Sequence, residues 1–229
     1  MARQPPEWKS FQSHIQHLAP LPLSSSASEE TMTLKEKAWI VLFVAAISLS
    51  VAARHWTYFP GDVALTRFVQ FLTPTSTVWA EQFSSTAKSP WNLVLLAVTI
   101  GVSWKIAGWR YALLALVSFS GMWVLGKWLG PVVARPRPLS SLVHVAEQLS
   151  GSSFPSVFAL TYASTVGFLA VLLSVKASGT GRMMAIIVCC VFLFAGWAAR
   201  LALGAHWSSD VLLSYLIGFL WAALLLRLV

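Results

Sequence analysis

From residue 38 onward, long apolar runs alternate with short polar segments: Ala38–Ala53, Trp91–Trp104, Tyr111–Leu129, Phe154–Val175, Met183–Leu203 and Val211–Leu226. A helix needs about 20 residues to cross the hydrocarbon core. The last four runs meet that length. The first two reach it only with flanking residues such as Trp39, Lys105 and Trp109, whose side chains anchor or snorkel at the interface. The pattern predicts an all-α integral membrane bundle of about six transmembrane helices. Between the first two runs, Val63-Ala64-Leu65, Phe68-Val69 and Phe71-Leu72 alternate with polar positions at nearly helical spacing. One or two short interfacial helices are expected there, shaped by Pro60-Gly61-Asp62 and Pro74, in a packing or lid role without chemistry. Residues 1–34 are polar and irregular and are expected to form a flexible tail. Residues 35–229 are expected to form a single six-helix domain.

Composition fits that pattern. The chain is 57% hydrophobic and 10% charged, whereas a soluble domain carries roughly a quarter charged residues. The net charge of +8 does not imply nucleic acid, because the basic residues fall singly at helix ends apart from Arg135 and Arg137. With an even number of spans both termini share a side. Placing them in the cytoplasm gives that side the larger share of Lys and Arg. No charged, apolar and small-residue succession opens the chain, so a cleaved signal peptide is not expected. Cys189 and Cys190 are adjacent in an apolar run and match no metal-ligand spacing; they read as buried small side chains. His14 and His17 have helical spacing but no acidic or thiol partner for a metal, and no cofactor is implied.

Three polar segments carry candidate chemistry. The first is Ala-Arg-Pro-Arg-Pro, residues 134–138, after the third run. Its prolines hold the preceding residues extended, so Arg135 and Arg137 sit on a stiff strand suited to a multiply charged anion. The second is Ser-Ser-Phe-Pro-Ser, residues 152–156. Pro155 fits a first helical turn, and the free amides of that turn, with the Ser156 hydroxyl, would favour an anion. The third runs from Arg200 to Asp210. A guanidinium can fork onto phosphate, an imidazole at His206 can attack or relay protons, and a carboxylate four residues on can fix its tautomer. Ionisable groups at a membrane boundary are functional candidates by default. The alternative is a snorkelling arginine followed by a Ser-Ser-Asp helix cap. All three segments fall on one membrane face.

From about Asp62 to the C-terminus the chain resembles the type 2 phosphatidic acid phosphatase superfamily, membrane relatives of the vanadium haloperoxidases. That family's pattern is Lys-six residues-Arg-Pro, then Pro-Ser-Gly-His, then Ser-Arg-five residues-His-three residues-Asp. Arg200, His206 and Asp210 match the third part, with Ala199 in place of its leading Ser. The resemblance implies six membrane helices with the site on the outer face, and a compact membrane enzyme of the bacterial inner membrane. It implies that His206 attacks phosphorus to form a phosphohistidine and that Asp210 orients it. Arg137 and Arg200 would hold the non-bridging oxygens, and Ser156 would donate a hydrogen bond. The substrate or ligand implied is a phosphorylated lipid.

Three positions depart from the pattern. The family's lysine falls at Gly130, its glycine at Val157 and its histidine at Phe158. That histidine is the family's general acid, and loss of a positioned acid costs roughly 10²–10⁴ in rate. Lys127, about one turn before Gly130, and His144, in the loop before the fourth span, are candidate substitutes. A diphosphate, with its better leaving group, would need less acid help. Two readings therefore stand: a lipid phosphate or diphosphate hydrolase, and a catalytically inactive relative that binds phosphorylated headgroups as an accessory or regulatory protein. A small transporter fits less well, since the internal repeats such proteins show are missing.

Overall fold

The computed structural model describes residues 33–229; the predicted tail, with His14 and His17, lies outside the described residues except for Thr33 and Leu34. Helix α1 (Leu34–His55) starts from a reciprocal cap: the Thr33 amide donates to Glu36 Oε2 and the Glu36 amide to Thr33 Oγ1. After α1 come two short helices, α2 (Asp62–Leu72) and α3 (Val78–Ser85). The long helices that follow are α4 (Trp91–Ala107), α5 (Trp109–Val133), α6 (Val157–Lys176), α7 (Thr180–Ala202) and α8 (Ser208–Leu226). The architecture is all-α. Among the described residues five helices, α1 and α5 to α8, are long and apolar enough to cross a membrane. Helix α4 has 17 residues, about 25 Å of rise, and is shorter.

Helix α6 is the most buried of the five and α1 the least. Small residues let α6 and α8 approach closely, as membrane helices require in place of a hydrophobic driving force. Gly218 lies against Ala163, and Gly167 against the ring of Phe219. Around them Phe158, Tyr162, Leu193, Leu201, Val211 and Tyr215 form a continuous core. Some hydroxyls inside the bundle are spent on their own helices: Ser103 donates to the Thr99 carbonyl and Thr165 to that of Thr161. A π-helical turn, Ala163–Gly167, interrupts α6.

Two local expectations change. Pro155 precedes the helix rather than opening it. Helix α6 starts at Val157 with Ser156 as its cap, whose Oγ accepts from the Ala159 amide at 3.4 Å. The predicted span at Tyr111–Leu129 continues to Val133, through Pro131, before Ala134 ends it in a left-handed conformation (φ 51°). From there the two-arginine segment runs back across the end of the bundle.

Candidate active site

The segments at 134–137, 149–158 and 200–206 meet at one end of the bundle, around a cavity of about 740 Å³. Backbone bonds hold the walls. The Arg135 amide donates to Ser152 Oγ (2.9 Å), and the Ser153 amide donates to the Arg135 carbonyl (2.7 Å). The amides of Ala146 and Glu147 both donate to the Leu203 carbonyl. At Gly204 the chain turns with φ 61°, and a Cβ there would collide with the His144 carbonyl. Only glycine satisfies both demands.

His206 lies in the wall, almost wholly buried. Its Nδ1 is 2.6 Å from the Ser153 carbonyl oxygen. A carbonyl only accepts, so Nδ1 carries the ring proton and Nε2 keeps its lone pair. Burial pushes the His206 pKa well below its ordinary value. The charges of Arg200 and Arg137 push the same way, and the Ser153 bond opposes them. The imidazole is therefore neutral at neutral pH.

Arg137 is clamped by three backbone carbonyls, of Ala205 (2.7 Å), Gly151 (3.1 Å) and Ser150 (3.3 Å). A guanidinium has about five N–H donors, so donors remain for the cavity. Burial lowers its pKa, Asp210 and Glu147 oppose that shift, and an arginine stays charged regardless. Arg200 donates through one terminal nitrogen to Ser84 Oγ and to Glu147 Oε2, the latter at 3.0 Å. Its guanidinium lies 5.6 Å from the Phe158 ring centroid. The buried Nε of Arg200 has no hydrogen-bond partner, which in a cavity wall suits an incoming acceptor.

The remaining predicted residues are placed differently. Arg135 borders the cavity, but its side chain is fully buried and bonded to two carboxylates, Asp210 and Asp62 (3.1 Å). Asp210 does not reach His206. It accepts from Arg135 and Ser153 Oγ, and from the Trp207 amide at 3.1 Å. The Ser153 carbonyl takes the orienting role expected of Asp210, and Asp210 in turn holds Ser153. Ser156 is buried away from the cavity lining. Its hydroxyl caps α6 and its amide donates to Ser214 Oγ at 3.0 Å. Lys127 is exposed, with Nζ 5.2 Å from the Trp123 ring centroid. Gly126 and Gly130, four apart, share the cavity face of α5, and Lys127 is about 100° round the helix from Gly126. His144 is exposed and outside the lining, in a loop pinned to Gln70 on α2.

Four contributors were passed over in the sequence. Asp62, placed in a segment read as free of chemistry, is buried and accepts from Arg135, from the Ser209 amide (2.8 Å) and from Ser209 Oγ (2.7 Å). Its signal was an acid beside a turn glycine in an acid-poor chain. Ser153 and Glu147 gave none that spacing could reveal. Lys88, between α3 and α4, lines the cavity and bonds Glu147 at 3.0 Å. Four cations thus meet three carboxylates around a neutral histidine, an excess that favours an anion.

Residues 107–229 match the family model of the PAP2 superfamily. Among solved structures, the crystal structure of the first transmembrane PAP2-type phosphatidylglycerolphosphate phosphatase from Bacillus subtilis is similar over 83% of this chain and 94% of that one. The TM-score is 0.67 at 21% identity, a likeness of fold. No curated protein sequence matches this chain. The matched stretch contains every residue that lines the cavity apart from Ser84, Ala87 and Lys88. With more than half of its length matched, and its cationic cavity built almost wholly from that half, this membrane protein belongs to the PAP2 superfamily.

Proposed function

We propose that the protein hydrolyses a lipid phosphate or diphosphate, with His206 Nε2 attacking phosphorus to form a phosphohistidine. The single observation that carries this reading is the fixed tautomer of His206, a neutral imidazole beside two arginines. In the first step Nε2 bonds to phosphorus as the P–O bond to the leaving group breaks, the leaving oxygen taking its proton from water. In the second, water bonds to phosphorus as the P–Nε2 bond breaks, its proton passes to solvent, and phosphate and the neutral imidazole are released. Phosphoryl transfer needs mainly positioning and charge stabilisation, and Arg137 and Arg200 supply both. A lipid substrate is supported by the lining. Gly126, Gly130, Val157 and Phe158 carry the cavity a turn down between α5 and α6, both long and apolar enough to span the membrane.

Residues 35–229 act as one membrane domain in this reading, with α4 as a sixth span anchored by Trp91, Trp104 and Trp109. Lys105, Arg110, Lys176, Arg182 and Arg227 lie in the segments at the opposite ends of these helices. Those ends, and the termini, face the cytoplasm by the charge rule. The cavity faces the exterior of a bacterial inner membrane.

A second reading has its own observation. Phe158, in the cavity wall, has no proton for a leaving oxygen, and its ring is engaged by Tyr162 and Arg200 instead. On that reading the protein binds a phosphorylated headgroup without turnover. Phosphate release from a panel of lipid mono- and diphosphates, beside His206→Ala, separates the two. Release abolished by the substitution supports hydrolysis. No release from any substrate, with vanadate still bound, supports the binder.

A further inference from the structure

We infer that Lys88 is a phosphoryl-binding residue of this cavity, the third cation that meets the ligand beside Arg137 and Arg200. The inference rests on the cavity being the phosphate site proposed above. Lys88 lies outside the stretch matched to the family and nineteen residues before its start, yet it lines the same cavity as His206. Its side chain is 60% exposed, so the ammonium is accessible and solvated. One of its three N–H donors goes to Glu147 Oε1 (3.0 Å), which leaves two.

Glu147 explains how a flexible lysine is held there. Its two oxygens bridge Lys88 and Arg200, both at 3.0 Å. The carboxylate is tied to the α7–α8 turn through its own amide, so it fixes one cation relative to the other. Burial pushes the Glu147 pKa up, but the bonds and charges of Lys88 and Arg200 outweigh it and hold the carboxyl below its usual value. It is therefore ionised wherever the cavity works and acts as an organiser of cations. Gly130 on α5 faces the same space, and an added Cβ there would meet only Ser152, at 3.9 Å. The charge that α5 does not supply enters from the α3–α4 connection.

The ligand chemistry is a dianionic phosphoryl group, whether free or on a lipid. The test measures binding of orthovanadate and of a short-chain phosphatidic acid to the purified full-length protein in detergent. Wild type is compared with Lys88→Gln, Lys88→Arg and Glu147→Gln. A charge-assisted bond removed from an anion weakens binding roughly 10- to 100-fold. That loss is expected for Lys88→Gln with both probes, with recovery in Lys88→Arg. Glu147→Gln keeps the cation but weakens the bridge that holds it, so a loss smaller than that of Lys88→Gln is expected with both probes. Equal binding by Lys88→Gln and wild type overturns the inference and leaves the cavity's phosphate role intact. Equal losses in Lys88→Gln and Glu147→Gln overturn it too, since only the bridge would then matter. A loss confined to the lipid probe overturns it, because Lys88 would be reading the glycerol or chain. Failure of wild type to bind either probe overturns it together with the proposed function.

Discussion

The Ser153 carbonyl oxygen lies 2.6 Å from Nδ1 of His206, and the Ser153 hydroxyl donates to Asp210. One residue thus joins the imidazole to a buried ion pair through its two different oxygens. Backbone orients the histidine, and the Asp210–Arg135 pair orients the backbone. The carboxylate acts on the imidazole at one remove.

The protonation of His206 leads to a stability prediction. Its folded pKa is depressed, so between about 6.5, the unfolded value, and the lower folded value the unfolded chain binds the extra proton. Stability is then complete above that window and is lost as pH falls through it. Glu147, also depressed in the fold, adds a loss in the same direction at lower pH. Melting temperature in detergent should fall from about pH 6.5 downward in wild type, with a shallower fall in His206→Gln. Identical slopes in the two proteins would contradict the buried neutral imidazole.

Asp62 and Asp210 both bond Arg135, whose guanidinium is fully buried. Without Asp62 the Arg135–Asp210 pair remains, but a buried Arg135 N–H, the Ser209 amide and Ser209 Oγ lose their acceptor, and a buried donor left unsatisfied costs about 1–3 kcal/mol. Asp62→Ala should therefore lower the melting temperature sharply although Asp62 lies outside the cavity lining. Thermal unfolding with Glu81→Ala, an exposed acid of α3, as the reference measures this; a similar effect of both would refute it.

Gly204→Ala places a Cβ at φ 61° and against the His144 carbonyl. Backbone held in such a region costs on the order of 1–3 kcal/mol, and the loop carrying Glu147 must move. Both thermal stability and vanadate affinity are expected to drop. Full retention of vanadate affinity would show that this loop does not shape the cavity.

Phe158→His combined with Val157→Gly introduces a proton donor at the cavity wall. Turnover of lipid monophosphates should rise by roughly 10²–10⁴, the contribution of a positioned acid. Stability should fall, because the stacking of Phe158 on Tyr162 (4.5 Å between centroids) and its contact with Arg200 are lost. Phosphate release and melting temperature are the two readouts. Unchanged turnover in a folded double variant would mean that the leaving oxygen does not sit beside α6.

Much of this was legible in the linear chain, for physical reasons. Hydrocarbon demands long apolar stretches, so the spans and their order can be read from runs such as Met183–Leu203 and Val211–Leu226. The spacing of Arg200, His206 and Asp210 lies within one turn and two helix ends, where local geometry holds without tertiary help. That is why the third motif and its placement at one end of the bundle could be anticipated. Tertiary structure alone decided which partners these groups take. Asp210 had two calls on it, a nearby imidazole and a guanidinium 75 residues away. It went to the guanidinium, where Ser153 Oγ and the Trp207 amide also satisfy its oxygens, and the Ser153 carbonyl met the imidazole. Lys88 was invisible for a related reason: a lone lysine in a polar loop becomes a cavity residue only when folding brings Glu147 and Arg200 beside it.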